Sequence, residues 1–253
     1  MEIRSLAPFG AEVIGARLNA VGAEIGHEIA RHRVLIFRNA DEGDDALVGF
    51  LSALGPMTFT TGETPVVGAP MLNVVSNVGR TVPPRSVFHT DTSYVAVPPA
   101  YTALRAVMLP ENGGATVFSD QVGAARRLAG HWQHCLGGRT VLHRATGLAG
   151  QKTATRHPLF RQHPLTGERA LFLSTPERCS ALSDMDAALS ARLVTALYRH
   201  SIRPAHLYRH HWRRSDVIVW DNRVTMHRAD HSGVVGDRVL HRGMTSGEAP
   251  ITV

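Results

Sequence analysis

From residue 71 onward the 253-residue chain is a succession of short strand-length runs, and this pattern limits the fold more than any other feature. MLNVVSN, YTALRAVML, ATVFS, RHPLFRQHP, RALFLS, HLYRHHW, DVIVW, VTMHRA and DRVLHRGMTS each carry the apolar density or the alternation of a strand. Leu165-Thr166-Gly167-Glu168 is turn chemistry joining two of them in a hairpin. Helical spacing interrupts the series over 121–136 and 184–200. Before it, residues 21–32 have helical spacing and run into Val34-Leu35-Ile36-Phe37, a buried-strand signal. Residues 44–55 open with acids and close on glycine, as a capped helix does. The next segment, 55–70, is rich in Gly, Pro and Thr and reads as a long loop. Together with the residues up to 84 it is the expected lid over a site. Many strands with two interposed helical segments predict a β-rich α+β fold, a barrel or sandwich core with helical insertions, in one domain spanning 1–253.

The chain is 43% hydrophobic and 19% charged, which fits a globular protein and excludes a disordered one. Its net charge of +6 would raise the case for nucleic acid, but the basic residues do not cluster. All but Lys152 are arginines, scattered singly or in pairs such as Arg126-Arg127. No nucleic-acid partner is expected, and an anionic substrate or cosubstrate is the better use of the excess charge. Cys135 and Cys179 lack paired spacing, which excludes a disulfide scaffold and a zinc ribbon. MEIRSLAPFG has no signal-peptide pattern, and no apolar run approaches the roughly 20 residues of a membrane span. A cytoplasmic protein without membrane contact is expected, and a homo-oligomer is left open.

Fifteen histidines call for selection by geometry. His206, His210, His211 and His231 have no partner pattern and read as surface or hydrogen-bonded structural residues. Phe88-His89-Thr90-Asp91-Thr92-Ser93-Tyr94 is different: on an extended segment His89 and Asp91 project to the same side. One further histidine would complete a facial two-histidine, one-carboxylate set, which leaves positions open on Fe(II). Trp220-Asp221-Asn222-Arg223-Val224-Thr225-Met226-His227 follows the strand DVIVW and supplies a candidate. A glycine-containing turn, 233–236, separates His227 from Arg238, and two antiparallel strands joined there would bring Arg238 beside His227. Its guanidinium could grip a carboxylate through two parallel hydrogen bonds.

FHTDTSY, Gly113-Gly114-Ala115-Thr116-Val117-Phe118-Ser119-Asp120, WDNRVTMH and RVLHR together resemble the taurine/2,4-dichlorophenoxyacetate dioxygenase family, in order and separation, over about 87–250. The resemblance implies a double-stranded β-helix (jelly-roll) core with flanking helices. It implies a non-haem dioxygenase that uses Fe(II), 2-oxoglutarate and O2 to hydroxylate or desaturate a small anionic substrate, releasing succinate and CO2. It implies His89, Asp91 and His227 as iron ligands, with Thr116 and Arg238 on the distal carboxylate of 2-oxoglutarate. Arg242 matches a position that reaches the substrate's anionic group in some members, and Arg85 is a second candidate for that contact. Arg85 stands where taurine-type members carry asparagine, and the lid lacks their His and Tyr, which argues against taurine itself. A zinc-dependent hydrolase on the same ligands and a catalytically silent 2-oxoglutarate binder are the alternatives.

Overall fold

The two most apolar runs of the chain lie side by side. Val34–Phe37 and Val217–Asp221 pair antiparallel, with Val217 opposite Phe37 and Trp220 opposite Val34. Alternate side chains of a strand point to opposite faces. Val34, Ile36, Ile218 and Trp220 face the interior with Leu104, Phe118 and Leu240. Leu35, Phe37, Val217 and Val219 face the other way, where Leu47, Phe50 and Leu51 of the helix Asp44–Leu54 and Ile25 and Ile29 of the helix Ile25–His32 cover them. Burial on both faces is why these strands read as unbroken apolar runs rather than alternating ones.

The structure, a computed structural model, describes residues 1–40, 42–80, 86–146 and 153–252. Its large mixed sheet has nine strands. The order runs Glu2–Ser5, Ala11–Ile14, Val34–Phe37, Val217–Asp221, Tyr101–Met108, Val239–Thr245, Ala69–Ser76, Pro65–Val66, and Met57–Thr58 joins off Val239–Thr245. Facing it is a three-stranded sheet, Leu207–His210, Thr116–Asp120 and Thr225–Ala229. Inward-facing Phe118 packs edge-on against Trp220 at 5.3 Å between ring centroids, so one aromatic contact joins the two sheets. The outer face of the small sheet, through Val117 and Met226, packs beneath the helices Gln121–Arg127 and Ala187–Ser201. The result is the jelly-roll core with flanking helices. Among the described residues no helix is long and apolar enough to cross a membrane.

Several elements differ from the sequence reading. Residues 121–136 form two helices, Gln121–Arg127 and Gly130–Leu136, because Leu128 takes an extended conformation and turns the chain. RHPLFRQHP is not one strand. Ala154–Pro158 pairs with Thr140–Arg144, while Phe160–Gln162 crosses to Arg169–Leu171 in a different sheet, forming the expected hairpin there. The segment read as a lid is partly sheet, since Pro65–Val66 pairs back onto Ala69–Ser76. The strands Glu2–Ser5, Ala11–Ile14, Thr140–Arg144 and Cys179–Leu182 escaped the sequence reading, none of them being a continuous apolar run.

Four histidines outside the central cleft are buried in ways that disfavour charge. Burial pushes His143 down to about 3, and it lowers His157, His206 and His210 as well. Such groups bind fewer protons folded than unfolded, so stability rises with pH through the histidine range and falls on acidification below about pH 6.5. The urea midpoint of the metal-free protein is expected to drop between pH 7 and pH 5, before carboxylates titrate. His143→Phe, which keeps a ring against Phe172, is expected to flatten that slope; an unchanged midpoint across this range would refute the neutral-histidine assignment.

Candidate active site

His89 and His227 sit directly opposite each other in an antiparallel bridge, each backbone N–H donating to the other's carbonyl at 3.0 and 2.9 Å. Residues opposed in this way project from the same face, and the two rings meet with centroids 4.4 Å apart. Thr90 turns away and donates to the Leu173 carbonyl at 2.8 Å, which returns Asp91 to the side of His89. Asp91 Oδ1 lies 3.6 Å from His89 Nε2 and 3.9 Å from His227 Nε2. One ligand atom from each of the three lies within 4.8 Å of the others, and no other such trio of His, Cys, Asp or Glu occurs among the described residues.

The surroundings keep these atoms aimed inward. His89 Nδ1 pairs with the Val87 carbonyl at 2.9 Å, so the proton sits there and Nε2 presents its lone pair. Thr102, on the inward face of its strand, donates to Asp91 Oδ2 at 3.0 Å. Asn222 clasps the Asp91 backbone, its Oδ1 accepting from the N–H at 3.0 Å and its Nδ2 donating to the carbonyl at 3.3 Å. Burial alone would raise the Asp91 carboxyl, but His227, Arg242 and His89 around it hold it well below the usual carboxylate range. Burial pushes His227 down to about 3. An ionised carboxylate and a neutral imidazole are the forms a metal requires. Two imidazoles and one carboxylate on one side, with the other side open, is the donor set of non-haem Fe(II) oxygen chemistry.

The open side faces a cavity of about 140 Å³ shared by His89, His227, Thr116, His231, Arg238 and Arg242. Arg238 is the anomaly in it. The other buried arginines all have acid partners: Arg33 pairs with Asp120, Arg161 with Glu248 and Arg223 with Asp221. Arg238 is just 3% exposed, yet among the described residues no carboxylate pairs with it, and burial lowers it to about 10. Its Nε donates to the Gly114 carbonyl at 3.0 Å and its Nη2 to Thr116 Oγ1 at 3.3 Å. Gly114 permits this approach: its φ is +72°, and a Cβ there would lie 3.0 Å from the arginine Cδ. Thr116 Oγ1 also accepts from Trp212 Nε1 at 3.0 Å. With both acceptor positions filled, its own O–H is left to donate into the cavity.

Arg238 reaches this place by a different route from the one inferred. Thr225–Ala229 and Val239–Thr245 do not pair as a hairpin. The first lies in the small sheet and the second in the large one, so the turn crosses the sandwich and Arg238 faces His227 from the opposite wall. Arg238, Leu240 and Arg242 do share the inward face, as their spacing implies. Arg242 bonds Asn73, Asp91 and Glu63, at 3.0, 3.4 and 3.1 Å. Arg85 lies outside the described residues. His210 is buried against Asp216, as a structural histidine should be, whereas His231 lines the cavity outside the His89–Asp91–His227 trio. Thr102, Trp212 and Asn222 were missed as supports; only Asn222, inside the WDNRVTMH block, had a local signal.

A jelly roll with this trio at one end of a cavity and a buried, acid-free arginine at the other defines a non-haem Fe(II), 2-oxoglutarate-dependent dioxygenase. Residues 2–244 match the taurine catabolism dioxygenase TauD, TfdA family, and the chain belongs to that family. It is 29% identical to an alpha-ketoglutarate-dependent sulfate ester dioxygenase of Pseudomonas putida, over 96% of this chain and 88% of that protein. It is 26% identical to the alpha-ketoglutarate-dependent 2,4-dichlorophenoxyacetate dioxygenase of Burkholderia sp. (strain RASC), over 92% and 88%. Among solved structures, a taurine dioxygenase from Burkholderia xenovorans superposes with a TM-score of 0.88 at 29% identity, covering 99% of this chain and 92% of that one. The zinc-hydrolase and silent-binder alternatives gain no support from these comparisons.

An anaerobic titration with Fe(II) or Co(II) is expected to saturate at one equivalent. His227→Ala should abolish that site, and Thr102→Val should weaken it by about 10–100-fold, the usual effect of removing a hydrogen bond to a metal ligand. Full metal affinity in Thr102→Val would remove the threonine from the site's support.

Proposed function

We propose that His89, Asp91 and His227 hold the iron, that Arg238 and Thr116 bind the far carboxylate of 2-oxoglutarate, and that the enzyme oxidises a small organic anion. The observation that carries this reading is Arg238. A buried cation without an acid partner is costly, and a bound carboxylate supplies the missing charge. The guanidinium offers two parallel N–H donors, and the Thr116 hydroxyl, with Trp212 occupying one of its lone pairs, adds a third.

The chain's own residues do the placing. Arg238 and Thr116 fix one end of the dicarboxylate, and cavity geometry directs its 2-oxo acid end toward His89 and His227. Leu104 and Leu240 line the walls between and exclude water. When bound, the iron supplies the oxygen chemistry: 2-oxoglutarate is oxidatively decarboxylated to succinate and CO2, and one oxygen atom goes to the substrate. The intact Asp91 fills the carboxylate position of the ligand set, which supports hydroxylation, or desaturation after the same hydrogen abstraction, over halogenation. Relatives named for sulfate ester and 2,4-dichlorophenoxyacetate substrates support a small organic anion here. Cys135 and Cys179 are free thiols, which supports a reducing, cytoplasmic setting.

Anaerobic Fe(II) protein titrated with 2-oxoglutarate is expected to develop the weak visible charge-transfer band of the chelate. Arg238→Gln should require at least tenfold more 2-oxoglutarate, a loss of about 1.5–3 kcal/mol for a charge-assisted hydrogen bond. Trp212→Phe should weaken binding less, by freeing Thr116 to rotate. Absence of the band with iron bound would remove the oxygenase reading.

A further inference from the structure

Arg242 and Asn73 are register partners on adjacent strands, so both side chains leave the same face of the large sheet. Arg242 Nε donates to Asn73 Oδ1 at 3.0 Å, which turns the amide nitrogen outward. There the two residues hold one carboxylate between them. Arg242 Nη2 donates to Glu63 Oε1 at 3.1 Å, and Asn73 Nδ2 donates to Glu63 Oε2 at 3.4 Å. A guanidinium and an amide, each on a different oxygen, make a receptor for two oxygens of a carboxylate, sulfate or sulfonate. Arg242 Nη1 also reaches Asp91 Oδ1 at 3.4 Å, so the receptor adjoins the metal-ligand trio.

Its present occupant comes from a turn. The Glu63 N–H donates to the Thr60 carbonyl at 3.2 Å, and Gly62 at φ +91° closes the bend. Asn73 is buried and Arg242 nearly so, whereas the Glu63 side chain is 39% exposed and is the one member able to swing away. The same turn walls a polar cleft of about 430 Å³ through Thr60 and Thr61, opposite Thr92 and Tyr94. A molecule lying in that cleft with an acidic end toward Arg242 would meet the Glu63 carboxylate already in place.

We propose that Glu63 is an internal occupant of the substrate's anion seat, displaced from Arg242 and Asn73 by the anionic group of the substrate. This rests on the oxygenase reading and adds a specificity-determining residue to it. Neutral molecules cannot claim the seat, and weakly bound anions lose to a tethered carboxylate. Substrates must offer two acceptor oxygens to Arg242 and Asn73 and a body that fits the threonine-lined cleft. Removing the charge of Glu63 should therefore tighten anions selectively.

The test is anaerobic calorimetry on the Fe(II) protein, first with 2-oxoglutarate and then with methanesulfonate, phenoxyacetate and uncharged 2-phenoxyethanol, for wild type and Glu63→Gln. Glutamine keeps the shape and removes the charge at an exposed position, so folding is preserved. The expected result is that Glu63→Gln binds the two anions roughly five- to tenfold more tightly, the scale of a partly exposed ion pair. Affinities for 2-phenoxyethanol and 2-oxoglutarate should not change. Anions bound no more tightly by Glu63→Gln, or by neither form, would overturn the proposal while leaving 2-oxoglutarate binding intact. A gain shared equally by 2-phenoxyethanol would overturn it too, by showing a steric effect. A wild type that fails to bind 2-oxoglutarate in the first stage would overturn the oxygenase reading along with it.

Discussion

Two backbone hydrogen bonds between His89 and His227 are the constraint on which the site depends. They tie the segment that carries His89 and Asp91 to the edge strand of the small sheet, and they do so in the register that sets both imidazoles on one face. Slipping this pair by one residue would send one ring to the outer face, where Val117 and Met226 pack against helices. The His89–Asp91–His227 trio thus needs no special local conformation. It needs the small sheet to be in register, and the helices over its outer face hold that register by burying alternate residues.

The large sheet provides the opposite wall, and its inward positions are divided by task. Thr102 braces Asp91, Leu104 and Leu240 line the cavity, and Arg242 and Asn73 form the anion receptor. At the far end Arg238 stays buried without an acid because Gly114 and Thr116 accept its hydrogen bonds from across the sandwich. Arg161, Arg223 and Arg33, buried elsewhere, are neutralised by the chain itself and serve packing. Among the described residues, an acid within reach is what separates these three buried arginines from Arg238.

Arg242 lies between these two conditions. It has acids within reach, but one of them, Glu63, is carried on an exposed turn. A receptor filled by its own chain can discriminate among anions in a way that an open arginine cannot, because each ligand is measured against a tethered competitor.

The sequence by itself determined most of the strands of the two facing sheets, the shared face of Arg238, Leu240 and Arg242, and the His-x-Asp pair. These depend on the two-residue period of a strand, which is local. It also determined the family, because the motif blocks keep their order and spacing. Tertiary structure alone decided that His227 meets His89 across a bridge, that Arg238 arrives from the opposing sheet rather than along a hairpin, and that Thr102, Trp212 and Asn222 support the site. It alone placed Glu63 on Arg242, 179 positions away in the chain. Those contacts join residues far apart in sequence, and no local period or propensity records which strand will face which until the two sheets close on each other.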